Sequence, residues 1–260
     1  MIQQMGYFLQ SFFANPNIWG IGLAIIFGAI WLACYRPPML RKPWLWAVLA
    51  GSAVLTLAAV TFIQIPLQIW NGQLLNHFWS QEVLLRWLLL AGISSVLLSG
   101  LVQEGSKLVP VVVYWWRKGR SIDPKLGLII GAVSGVGFGI FEAQWVHNVI
   151  FASGWSWVAV QTNGVLALGG FWERFFVIGC HTASCALAGW GLAKGWGWQF
   201  YLLASFLHAF LNYSVLLLQA GLVSAVQAEL LIAAWTLLLT GGALWLRERK
   251  LATVAEGWEM

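Results

Sequence analysis

Charge is what this sequence has least of. Only 9% of its 260 residues are charged and 60% are hydrophobic, so there are too few polar side chains to cover a water-facing globule of this size. That scarcity excludes a soluble domain. It also removes the nucleic-acid partner that a net charge of +5 would otherwise suggest. Cysteine is scarce as well: Cys34, Cys180 and Cys185 lie within apolar stretches without metal-type spacing and read as small packing residues. No HExxH sequence occurs, and neither does a soluble-type repeat or a low-complexity segment. The first apolar run has no basic region before it and no small-residue cleavage site after it, so the first span is expected to act as its own targeting signal.

What remains is an all-α, polytopic membrane helix bundle. A span needs roughly 20 apolar residues to cross a hydrocarbon core about 30 Å thick. Seven stretches qualify: Ile18 to Tyr35, Trp44 to Ile65, Val83 to Trp116, Leu126 to Phe151, Glu173 to Ala193, Gly195 to Ala220, and Val226 to Leu246. Pro66 is expected to close the second, with Leu67 to Glu82 lying as an interfacial helix at the outer surface. The third is too long for a bilayer, which predicts a strong tilt, a break near Gly100 or Gly105, or extension beyond the lipid. The fourth carries glycines at 127, 131, 135 and 139, a bare ridge against which another backbone can pack closely.

Orientation follows from the basic residues. Arg36, Arg41 and Lys42, then Arg117, Lys118, Arg120 and Lys125, then Lys194, and finally Arg247, Arg249 and Lys250 fall in four segments on one side. By the positive-inside rule that side is cytoplasmic, placing the N-terminus outside and the C-terminus inside. Many of the 19 tryptophans fall at span ends as an aromatic belt. Residues 1–260 form one integral membrane domain under this reading, with its motif-bearing core at about 83–220.

A few ionisable groups break the apolar pattern. Glu104 and Lys107 share one helix face three residues apart. An acidic or basic side chain at a helix centre costs about 2.5 to 3.5 kcal/mol on an insertion scale, so each needs a partner or a chemical role. Glu104, Glu142, His181 and His208, on four consecutive spans, all lie roughly 20 to 26 Å of helix from the nearest cytoplasmic basic residue. Glu142 falls on the glycine ridge, His181 on a face with Ser184 and Ala188, and His208 on a face with Ala204 and Asn212. Two carboxylates and two imidazoles at one depth are an inventory for activating water against a peptide carbonyl. His77, His147 and Glu229 lie near span ends or in loops and read as interfacial.

These residues also carry a resemblance. Gln103-Glu104-Gly105-Ser106-Lys107 resembles the EExxK/R motif, and Phe138 to Glu142 the FxxxE motif, of intramembrane proteases of the PrsW and YhfC type. Glu173-Arg174 through His181 is similar to that family's ER...H span, and His208 to Asn212 to its HxxxD/N motif. Gln103 departs from the first acidic position. Asn212 stands where PrsW proteins usually have Asp and where the more distant CAAX prenyl protease relatives have Asn.

The resemblance implies an intramembrane endopeptidase in a bacterial or archaeal cell membrane, cleaving membrane-anchored protein substrates within the lipid bilayer. Glu104 would activate water, Glu142 and His181 would position it or share its proton, and His208 and Asn212 would stabilise the oxyanion. Lys107 would tune or neutralise Glu104. The glutamic-type version needs no cofactor and is preferred. A metal version holds zinc on Glu142, His181 and His208 with Glu104 as base. Two other readings stay open: a proton- or ion-coupled transporter, since buried Glu and His also build proton relays, and a catalytically inactive relative that binds membrane partners.

Overall fold

The computed structural model describes residues 1–249. Lys250, grouped above with Arg247 and Arg249, lies outside the described residues. Among the described residues every regular element is helical. The chain begins with α1 (Ile2–Phe13), continues through α2 (Ile18–Tyr35) and α3 (Trp44–Ala59), and passes by a π-helical segment, Val60–Gln64, into α4 (Ile65–Phe78). A short α5 (Gln81–Arg86) leads to α6 (Leu88–Arg117) and α7 (Pro124–Ala152). Then come α8 (Trp157–Asn163), a 3-10 turn (Gly164–Leu168), α9 (Gly169–Ala193), α10 (Gly197–Gln219) and α11 (Ala225–Glu248). Seven helical stretches are long and apolar enough to cross a membrane.

Local chemistry sets the helix ends. The Asn17 side chain accepts from the backbone N–H groups of Trp19 and Gly20 to start α2, and Asp123 accepts from Leu126 N–H with Pro124 in the first turn of α7. Ser224 and Gln227 form a reciprocal capping box at the start of α11. Gly195, expected at the start of a span, instead turns the chain out of α9 at φ +84°, where Trp196 N–H returns to Gly191 O.

Two expectations about the spans are corrected. Pro66 does not close the second span. Its missing N–H and the clash of its ring with the preceding turn are absorbed by the π segment just before it, and the helix runs on to Phe78. Of the three expected resolutions of the long third stretch, the break at Gly100 or Gly105 does not occur. The helix breaks earlier, at Trp87, and α6 then runs unbroken through Pro110. Gly100 serves packing instead, because a side chain there would strike the backbone carbonyl of Ser205 on α10.

The bundle is built around α7 and α9, the two most buried spans. The glycine ridge of α7 faces α9: a Cβ on Gly127 would meet Gly189 O, on Gly131 Cys185 O, and on Gly135 His181 O. Small residues thus bring two backbones into direct contact, which is how helices associate where lipid removes the hydrophobic drive. The α6, α10, α2, α3 and α11 helices pack around this pair.

Gly135→Ala is expected to lower stability by about 1–3 kcal/mol, because the added methyl strikes unyielding backbone. Gly22→Ala, where nothing lies within 4 Å, is expected to be neutral or slightly stabilising. Thermal melting of the two variants in one detergent tests the contrast, and equal melting temperatures would contradict the proposed backbone contact.

Candidate active site

Glu104 and Lys107 project from α6 into the interior, where they are 2% and 0% exposed. Lys107 Nζ donates to Glu104 Oε1 at 2.5 Å and to His181 Nδ1 at 2.9 Å. It also lies 4.9 Å from the centre of the Phe138 ring, which offers a cation its negative face. The backbone around this lysine is held as well: Ser134 Oγ on α7 donates to Lys107 O at 2.5 Å.

Glu104 collects donors from two further helices. His208 Nδ1 donates to Oε1 at 2.8 Å, and Ser184 Oγ lies 3.2 Å from both carboxylate oxygens. Oε1 therefore meets Lys107, His208 and Ser184, whereas Oε2 meets Ser184 alone among the described residues. The two imidazole rings lie 5.0 Å apart between centroids.

His181 is held at both nitrogens. Because Nδ1 accepts from Lys107, Nε2 carries the proton and donates to Glu142 Oε2 at 3.1 Å. Glu142 in turn accepts from Arg174 Nη1 at 3.1 Å, and Arg174 also pairs with Glu173. One polar chain thus runs from Lys107 through His181 and Glu142 to Arg174, crossing α6, α9 and α7.

Glu104, Glu142, Lys107, His181 and His208 are brought together in this way. Asn212, one turn from His208, is bonded elsewhere: its Nδ2 donates to Ser99 Oγ at 3.3 Å. His147 lies near the end of its span but is enclosed by its neighbours. It is 0% exposed, and its Nδ1 donates to Gly20 O on α2 at 2.9 Å. Glu229 is half-buried and His77 exposed.

Ser184 and Ser134 were not expected as partners of Glu104 and Lys107. Their positions opposite α6 on the small-residue faces of α9 and α7 were the available signal. Arg174 entered the sequence reading through the ER...H resemblance, which did not foretell its bond to Glu142.

A metal can be tested against these residues. Glu104, His181 and His208 each offer a ligand atom, and the three atoms lie within 4.8 Å of one another. One carboxylate and two imidazoles form a catalytic zinc donor set, and Glu142 stands behind His181 where an orienting carboxylate belongs. The residues fit such an ion in kind. The expected set named Glu142 as the carboxylate ligand; the three atoms within reach of one another include Glu104 in its place. The Lys107 ammonium already engages Glu104 and His181 Nδ1, so metal and ammonium would compete for the same lone pairs.

Residues 41–240 match the PrsW-protease family model, described as PrsW family intramembrane metalloprotease. No curated protein and no solved structure matches the chain.

Removing one member of a buried charge pair strands the other, at a cost of about 3–5 kcal/mol. Lys107→Met is therefore expected to destabilise the protein by that order. Adding Glu104→Gln should recover most of the loss in a melting experiment, and a double variant no more stable than Lys107→Met would show that the pair is not held by its mutual charge.

Proposed function

Because the chain belongs to the PrsW family of intramembrane proteases, we propose that it hydrolyses peptide bonds of membrane-anchored proteins with Glu104 as the general base. The observation that carries this reading is the asymmetry of the Glu104 carboxylate. Its Oε1 is engaged by a lysine, a histidine and a serine, while its Oε2 meets Ser184 alone among the described residues.

In this mechanism Glu104 takes a proton from water at Oε2, and the hydroxide formed attacks the scissile carbonyl. The same proton passes to the leaving amine as the C–N bond breaks. His208 on α10 stabilises the developing oxyanion, and Asn212, one turn on, joins it only on leaving Ser99. His181 is a positioning residue, fixed between Lys107 and Glu142, and Lys107 neutralises Glu104 between turnovers. A zinc ion held by Glu104, His181 and His208 would supply a Lewis acid and a more acidic water. The position of Lys107 favours the metal-free version. The positive-inside rule, applied to the basic residues between the spans, supports an N-terminus outside and a C-terminus inside a cell membrane.

Glu104→Gln strands Lys107 and is expected to lower the melting temperature, and to abolish cleavage of a co-expressed single-span substrate by protein that still elutes as one monodisperse species. Cleavage at the native rate by that variant would overturn the role given to Glu104.

Purified protein is expected to hold much less than one zinc per chain and to stay active after chelation. One tightly bound zinc per chain, with activity lost on its removal and restored on its return, would make Glu104 a ligand instead of the base.

A further inference from the structure

Next to the charged cluster lies a cavity of about 280 Å³, walled by α1, the α3–α4 stretch, α6 and α7, with Phe12, Gln64, Gln68, Gln103, Phe138 and Glu142 among its lining residues. It adjoins the candidate site through Glu142, which bonds His181, and through Phe138, whose ring meets His181 edge-on at 4.4 Å between centroids. One wall is polar. From the last residue of the π segment onward, Gln64, Gln68 and Asn71 meet Ser99, Ser95 and Ser94 of α6.

The hydrogen bonds on this wall do not balance. Gln64 Nε2, Gln103 Nε2 and Asn212 Nδ2 all approach Ser99 Oγ, at 3.4, 3.3 and 3.3 Å. A hydroxyl has two acceptor lone pairs, so three donors oversubscribe it. Gln103 Nε2 is also bonded to Gln64 Oε1 at 3.0 Å. By contrast Gln103 Oε1, on a side chain 6% exposed, finds no hydrogen-bond partner among the described residues. A surplus amide donor and an orphaned amide acceptor therefore sit together in one cavity wall, where an unmade bond costs about 1–3 kcal/mol.

We infer that Gln103 and Gln64 form a subsite for the unwound backbone of the substrate, with Gln103 Oε1 accepting a peptide N–H and the amide donors around Ser99 meeting a peptide carbonyl. The inference rests on the hydrolytic reading above. A spanning helix must open before water can reach its scissile bond. Each backbone group so freed in hydrocarbon costs several kcal/mol until it finds a partner. One spare acceptor and one spare donor are what a single opened peptide unit requires.

The test uses a labelled, apolar single-span synthetic peptide with a Gly-Pro break at its centre, bound to full-length protein carrying Glu104→Gln so that no turnover occurs. Single N-methylation along the break removes one N–H at a time. At one position it should weaken binding about three- to tenfold, and in Gln103→Leu that position should show no further loss. If Gln103→Leu fails to fold, Gln64→Leu/Gln103→Leu, which strands neither amide, takes its place.

N-methylation that weakens both proteins equally at every position would overturn the inference, as would undiminished affinity in the leucine variant or no binding at all. Cleavage of the unmethylated peptide by the native chain is measured alongside. Binding that shows the pattern without cleavage would remove the hydrolytic reading and leave the subsite standing.

Discussion

The ion pair of Lys107 and Glu104 is the constraint on which the rest depends. Neither charge is tolerable alone at this depth in a low-dielectric interior, and the pair by itself leaves lone pairs and N–H groups to be satisfied. The surrounding helices supply them one at a time. His181 and Ser184 come from α9, His208 from α10, and Phe138 with the Ser134 hydroxyl from α7. Each partner needs its helix at a fixed distance from α6, so satisfying the pair also sets the arrangement of the bundle.

The glycine ridge makes that arrangement possible. Gly135 lies against the carbonyl of His181 itself, so the contact that brings α7 and α9 together also fixes the height of the imidazole. Ser134 beside it anchors the Lys107 backbone. Packing and chemistry share residues here, and a side chain at Gly135 would disturb both.

Much of the fold was legible because lipid makes few demands, and they are strict ones. Runs of apolar residues marked the spans, and the depth and face of Glu104, Glu142, His181 and His208 anticipated their convergence. The misreadings share a cause, which is that one-dimensional rules do not see accommodation. Pro66 breaks an α-helix, but a π turn before it lets the helix continue. That continuation turns Gln64 and Gln68 toward α6, so the amide wall was hidden along with it. The burial of His147 was likewise hidden, because the first turn of α2 covers it. Which carboxylate stands with the two imidazoles depends on how α6 and α7 rotate about their axes, and helical spacing alone does not fix that.

Pairing the buried charges also bears on the electrical state of the membrane. A lone charge moved across a bilayer couples to the transmembrane potential by about 2.3 kcal/mol per 100 mV. Lys107 and Glu104 meet that field as a short dipole, their charged atoms 2.5 Å apart. The voltage drop across so small a distance does little work on them. The pair is therefore only weakly coupled to the transmembrane potential.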